Sequence, residues 1–232
     1  MTTAKRIVCL AGSRKLGGRC VAGIEVTKGQ RVGWIRPVTA RETQELLQYD
    51  CLCDDGTCVA PLDVVDVRLL RAQPSTYQRE NWLLEPRVPW RKVGSARWDD
   101  LHGFVDPVER LWIDGHSTKG GRNDRIPTEI AEGLTSSLRL VRVDKLKLRV
   151  SQPGLDFDNP SKRLHAGFSH AGDYYRLRVT DPKYEERFLA RGRGEYHVGE
   201  SYLTISIGEP HTDGFCYKLV AAIIEREEAV DA

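Results

Sequence analysis

Missing from this sequence is any apolar run approaching the roughly 18 residues that a membrane-spanning helix needs, so no transmembrane segment and no membrane partner are expected. The opening MTTAKRIVCLAGSRK has no long apolar core of the kind a secretory leader carries, and a cytoplasmic protein is expected by default. Net charge is scant as well. The 35 Lys and Arg against 33 Asp and Glu leave +2, which argues against indiscriminate coating of nucleic acid while leaving room for a local basic face. Paired metal-binding motifs are also absent. Of the six cysteines, at 9, 20, 51, 53, 58 and 216, only those of CLCDDGTC cluster, and Cys51, Cys53 and Cys58 offer three thiolates where structural zinc wants four ligands. The histidines at 102, 116, 165, 170, 197 and 211 form no HExxH pattern. Neither a metal nor a cofactor is expected, and in a reducing compartment the thiols stay free.

What is present is a β pattern. At 40% hydrophobic and 29% charged residues the chain is apolar enough to fold. Segments 5–11 (KRIVCLA), 19–26 (RCVAGIEV), 31–38 (RVGWIRPV) and 62–70 (LDVVDVRLL) are short, rich in Val and Ile and bounded by turn residues, and they read as one meander. From residue 138 the pattern resumes with LRLVRVDKLKLRV, KRLHAGF, DYYRLRVT, SYLTISIG and FCYKLVAAIIE, interrupted by a helix over KYEERFLAR after Asp181-Pro182. Shorter helices are predicted at 40–48, 96–104 and 127–134. Between the halves, Trp82, Trp90, Trp98 and Trp112 fall in a proline-interrupted stretch, which is expected to pack as an irregular connector. The chain is thus predicted mostly β with a minor α component, divided into residues 1–75, a connector over 76–135, and residues 136–232.

Residues 5–26, KRIVCLAGSRKLGGRCVAGIEV, hold glycines at the spacing of a phosphate-binding loop. A P-loop needs G-x-x-x-x-G-K-[ST] leading from a strand into a helix. Here Gly18-Arg19 stand where Lys-Ser belong, and CVAGIEV reads as strand. The stretch is therefore a hairpin, with Arg14, Lys15 and Arg19 near its tip, open to a phosphate backbone or simply solvated.

KRIVCLAGSRKLGGRCVAG, followed in order by GWIRPV, YQRENWLLEP, GRNDRIP, LARGRGEY, SIGEP and FCYKLVAAII, resembles the bacterial family of dual OB-fold domain proteins over almost the whole chain. The resemblance implies two OB-like, five-stranded, partly open antiparallel barrels, a shape used to bind single-stranded nucleic acid or oligosaccharide. It carries no catalytic residue across. CLCDDGTC at 51–58 departs from the family pattern as an insertion-like stretch.

OB folds grip strands with a basic groove and aromatic platforms. KLKLRV alternates so that Lys145, Lys147 and Arg149 share one face, and YRLRV does the same with Arg176 and Arg178; were these strands neighbours, a basic stripe would cross one sheet. The same alternation also wets the outer face of any antiparallel sheet. Trp34 and Arg36 share a face, either as a stacking and phosphate pair or as a core anchor beside a paired arginine. In GRNDRIP, Arg122, Asn123 and Arg125 are further candidates, with Asn123 or Asp124 alternatively capping a helix; Arg191 and Arg193 of LARGRGEY either approach a backbone or end a helix. Acid pairs of a metal-dependent nuclease could come from Asp54, Asp55, Asp63 and Asp66 or from Asp156 and Asp158, though Asp-rich turns explain them equally.

Two functions follow. The first is a non-catalytic module binding single-stranded DNA or RNA, or another polyanion, within a bacterial multi-protein system of the defence or conflict type. The second is an enzyme or nucleotide sensor with a pocket between the barrels, built from the Trp-rich stretch and GRNDRIP.

Overall fold

A computed structural model describes residues 2–15, 17–152 and 162–226. It separates into two units, one of residues 2–104 with 132–138 and one of residues 105–131 with 139–226. The Trp-rich stretch is shared out between them, residues 76–104 going to the first unit.

The first unit holds β1 (Thr3–Lys15), β2 (Gly18–Thr27), β3 (Gln30–Val38), β4 (Asp63–Ala72), β5 (Asn81–Leu84) and β6 (Arg91–Ser95). Only the first three form a meander. β4 returns to β1, in register from Val8↔Val64 to Thr3↔Leu69, and closes the ring β1-β2-β3-β5-β4, with β6 added outside on β4. β1 can serve two neighbours because it is 13 residues long and shifts register between Cys9 and Ala11. Gly23 faces Cys9 at that bulge, and a Cβ there would stand 2.3 Å from the Val8 carbonyl oxygen, so the close crossing of β1 and β2 requires glycine.

The second unit holds β7 (Arg125–Pro127), β8 (Leu138–Ser151), β9 (Arg163–His170), β10 (Asp173–Val179), β11 (Gly194–Pro210) and β12 (Phe215–Glu225). Its ring runs β8-β9-β10-β12-β11, with β7 outside on β12. Both rings therefore share one order, first, second, third, fifth, fourth. In both, the third and fifth strands are parallel, β3 with β5 and β10 with β12. This is the five-stranded Greek-key barrel of the OB fold, present twice. The repeat lies in topology, which is why no residue-level period is visible in the sequence.

Between its third and fourth strands each barrel carries a plug. In the second it is α2 (Pro182–Leu189), capped by Asp181, whose Oδ1 accepts from the Lys183 and Tyr184 amides at 3.0 and 3.4 Å; the helix buries Tyr184 and Phe188 in the core. In the first the plug is a 3₁₀ turn, Gln48–Asp50, with the cysteine loop behind it, and Leu46, Cys51, Cys53 and Val59 join Ile7, Val65 and Trp90 in the core. The helix predicted over 40–48 does not form, because Leu46 exchanges both backbone hydrogen bonds with Arg19. The helix predicted at 96–104 is the 3₁₀ turn Trp98–Phe104, and the one at 127–134 is reduced to α1 (Thr128–Ala131).

Candidate nucleic-acid interface

On β8, Leu146, Leu148 and Val150 enter the second core while Lys145, Lys147 and Arg149 are exposed. β10 alternates likewise, with Tyr175, Leu177 and Val179 inside and Tyr174, Arg176 and Arg178 outside. These two strands are not neighbours, since β9 lies between them. A basic stripe nevertheless crosses all three. The registers align Arg149, His165 and Arg178 in one row and Lys147, Gly167 and Arg176 in the next. A third pair, Ser169 and Tyr174, continues the same face.

Gly167 is what lets an aromatic side chain lie on this face. A Cβ at that position would meet the Tyr174 hydroxyl at 2.5 Å, so the phenol occupies the space that a side chain would fill in the middle row. Tyr174 is still 44% exposed, enough to offer ring surface to a stacking partner beside Lys147 and Arg176.

At the Arg149 end the face deepens into a groove of about 270 Å³ lined by Lys119, Gly120, Arg149, Ser151, Gln152, His165, Arg176 and Arg193. Four of these are cations, and among the described residues no carboxylate lines it. Its outer wall is the turn at Lys119 and Gly120, and the GRNDRIP stretch that follows runs beside β10 through paired backbone bonds between Arg122 and Arg176. That wall is built tightly. Asp124 accepts from the Thr118 amide at 2.8 Å and hydroxyl at 2.6 Å, and a Cβ on Gly121 would stand only 1.8 Å from the Asp124 carboxylate. Asn123, in the left-handed region at φ 51°, accepts from the Gly115 amide and donates to the Tyr174 carbonyl.

Charge pairing on this face differs from that of several strand cations in the first barrel. In the first barrel Arg6 and Arg91 share Asp66, Lys92 pairs with Asp63 at 2.6 Å, Lys5 with Glu25 at 2.8 Å and Arg68 with Glu85 at 2.8 Å. Among the described residues no carboxylate forms an ion pair with Lys119, Lys145, Lys147, Arg149, Arg176, Arg178 or Arg193. The field they create reaches His165. Burial, and after it Arg178, Arg163 and Arg176, push its imidazole down to about 4 against the small opposing pull of Asp124. His165 is therefore neutral at pH 7.

An unfolded histidine titrates near 6.5. As pH falls, the unfolded state takes up this proton first, so stability declines from about pH 6.5 and levels off near pH 4, by at most about 3 kcal/mol. Replacing His165→Asn is expected to flatten that part of the acid limb in denaturant titrations at pH 7 and pH 4.5. Equal acid losses in both proteins would show that His165 is not held neutral.

The other residues singled out in the sequence lie elsewhere. Arg36 is buried on β3, 3% exposed in its side chain, where it pairs with Glu80 at 3.3 Å and donates to Ser137 Oγ at 3.0 Å; Trp34 is buried on the same strand. Neither reaches a ligand from these positions. Arg14 and Arg19 are exposed and face each other across the antiparallel β1–β2 hairpin, with Lys15 opposite Gly18, so no helix starts where a phosphate-binding loop would need one. Arg122 is exposed beside β10 and outside the groove lining, and Asn123 is buried as a brace of the turn before it. Arg125 lies over Phe215, 4.0 Å from the ring centre, and 3.6 Å from Asp213. Arg191 lies over Phe188 at 4.8 Å.

The acidic clusters are accounted for locally: Asp55 accepts from Thr57, Asp54 from the Lys92 amide, and Asp63 and Asp66 are ion-paired. Asp156 and Asp158 lie outside the described residues. Burial raises the Cys51 and Cys53 thiols to about 12 and about 11, and no cluster of His, Cys, Asp or Glu among the described residues is arranged to hold a metal. Sequence reasoning missed Tyr174, His165 and Lys119. The first two carried a signal, because period two places Tyr174 with Arg176 and Arg178, and His165 with Gly167. Lys119 carried none, since only the fold of the loop brings it to the sheet.

Two barrels of this order in one chain define a tandem OB-fold protein. The chain belongs to the dual OB-containing domain family, whose profile matches residues 5–223. No curated protein matches its sequence. Among solved structures, the crystal structure of the tetrameric p202 HIN2 aligns over 93% of this chain and 86% of its own at 10% identity and a TM-score of 0.30. At that score the likeness carries no argument about fold or ligand. No helix among the described residues is long and apolar enough to cross a membrane.

Proposed function

We propose that the β8–β9–β10 face binds single-stranded nucleic acid, with Lys145, Lys147, Arg149, Arg176 and Arg178 following the phosphates and Tyr174 stacking a base. The observation that carries this reading is the register that aligns Arg149 with Arg178 and Lys147 with Arg176 across β9, together with the absence of ion-paired carboxylates among the described residues. In the first barrel Arg6, Arg68 and Arg91 have carboxylate partners in place; on this face, among the described residues, the counter-charge has to come from solvent ions or a ligand. The second and third strands of an OB barrel form its usual strand-binding face, and β9 and β10 occupy those positions.

Counterion release makes the reading measurable. Each phosphate contact on a single strand contributes about 0.7 to the slope of log affinity against log salt. Charge reversal of Lys147→Glu with Arg178→Glu is expected to reduce that slope by about 1.4 and to weaken binding of a labelled 15-mer by roughly tenfold to a hundredfold at low salt. Both side chains are exposed, so the melting temperature should hold. Unchanged affinity in the folded double variant would remove this face from consideration.

A further inference from the structure

The groove at the Arg149 end is charged beyond what a passing strand requires. An internal phosphodiester carries one negative charge, and successive phosphates spread along the chain. Here Lys119, Arg149, Arg176 and Arg193 converge on about 270 Å³, the scale of one phosphorylated sugar, with no carboxylate lining the space among the described residues. Arg149 and Arg176 come from the sheet. Lys119 and Arg193 come from outside it, Lys119 on the braced turn closed by Thr118, Gly121 and Asp124, and Arg193 in the turn between α2 and β11. Four chain segments thus deliver cations to one point: β8, β10 and the two turns.

A phosphomonoester carries close to two negative charges at neutral pH and three acceptor oxygens. Arginine forks match such a group better than they match a diester, which leaves only two oxygens free. His165, also in the lining, is neutral and adds a ring nitrogen that can hydrogen-bond without adding charge.

We infer that this groove is a terminal-phosphate site, which takes the phosphomonoester or polyphosphate at the end of a strand, or the same group on a free nucleotide, in preference to an internal phosphodiester. The inference rests on the strand-binding reading of the adjoining face, and it adds an end-recognition element to that face. Lys119 and Arg193 serve the groove alone.

The test compares four labelled or competing probes by fluorescence anisotropy: a 15-mer with hydroxyl ends, the same strand with a 5′-phosphate, the same strand with a 3′-phosphate, and a nucleoside triphosphate as competitor. The wild type is expected to bind one phosphorylated strand at least tenfold more tightly than the hydroxyl-ended strand. The variant Lys119→Gln with Arg193→Gln is expected to lose that preference while holding the hydroxyl-ended strand within twofold. Thermal melting checks that the variant folds, and phosphate rescue of a milder Arg193→Lys variant covers the case where it does not.

Equal wild-type affinity for phosphorylated and hydroxyl ends would overturn the inference and leave the strand-binding reading standing. Competition by the triphosphate without any binding of the hydroxyl-ended strand would overturn the strand-binding reading and retain the phosphate site. A preference for phosphorylated ends that survives intact in the folded Lys119→Gln/Arg193→Gln variant would also sink the assignment to this groove.

Discussion

Replacing Glu80→Ala is expected to destabilise the first barrel by about 3–5 kcal/mol, the cost of leaving a buried charge without its partner. Arg36 and Glu80 are 3% and 4% exposed in their side chains, so water cannot take over the carboxylate's role. Glu80 also accepts from the Ser137 hydroxyl and, at 3.3 Å, from the Ser137 amide, so its removal orphans the guanidinium and two further donors. The Arg36 nitrogens Nε and Nη1 already lack a protein hydrogen-bond partner, which leaves little reserve. The double variant Arg36→Leu/Glu80→Leu is expected to cost much less than Glu80→Ala alone, because it removes both charges together. Trp34, Trp82, Trp90 and Trp98 belong to the first unit and Trp112 to the second, so tryptophan fluorescence of a Trp112→Phe background in a denaturant titration follows this barrel. A loss below about 1 kcal/mol for Glu80→Ala would mean that the pair is hydrated in solution.

The second large effect is expected at Lys218. Its side chain is fully buried on β12, where the ammonium donates to the Ile113 carbonyl at 2.5 Å and to Asp114 at 3.2 Å, beside the ring of Tyr175. Burial lowers its pKa, and the Asp114 carboxylate opposes this only in part. The Tyr175 hydroxyl donates to the same carboxylate at 2.9 Å, so one lysine fastens the loop before the groove wall to the barrel core. Lys218→Met keeps the apolar stem and deletes the charge. It is expected to cost about 3 kcal/mol, since Asp114 and the Ile113 carbonyl lose their donor in a nearly dry site. The amides of Gly115, Thr118 and Gly121, which donate to Asn123, Asp124 and Thr118, should then exchange faster with solvent than in the wild type. Unchanged exchange at these three amides would uncouple the lysine from the wall.

Period-two patterning made much of the binding face legible. In KLKLRV and DYYRLRV a polar side chain follows each buried one, and a strand with one solvated face has no other way to place them. What patterning could not supply was the strand between. Whether β8 and β10 touch, or are joined through His165 and Gly167 of β9, depends on pairings between residues far apart in the chain. The same limit explains Arg36. Its neighbours Trp34, Ile35 and Pro37 told of a strand, but its partner Glu80 is 44 positions away and Ser137 is 101 positions away, so the sequence left a ligand pair and a core anchor beside a paired arginine both open, and the fold has the second.

Local composition also misled where tertiary bonds overrode it. ARETQELLQ has the residues of a helix, yet Leu46 in its middle gives both backbone groups to Arg19, and a residue held in a β-bridge cannot also continue a helical ladder. CLCDDGTC offered three thiolates, one short of a structural zinc site, and Cys51 and Cys53 point into the first core and behave there as small apolar side chains.

By itself, the sequence determined the strand content, the alternation that sends Leu and Val inward and Lys and Arg outward, and the hairpin in place of a phosphate loop. These are properties of neighbouring residues, set by backbone geometry and apolar burial, whereas the twofold OB architecture was implied only by the resemblance of its ordered motifs to a family. The tertiary structure alone decided which cations converge. It brought Lys119 and Arg193 to Arg149 and Arg176, and it withdrew Arg36 into an ion pair. Coulomb energy depends on separation in space, and separation in space between distant segments is fixed only when the barrel closes.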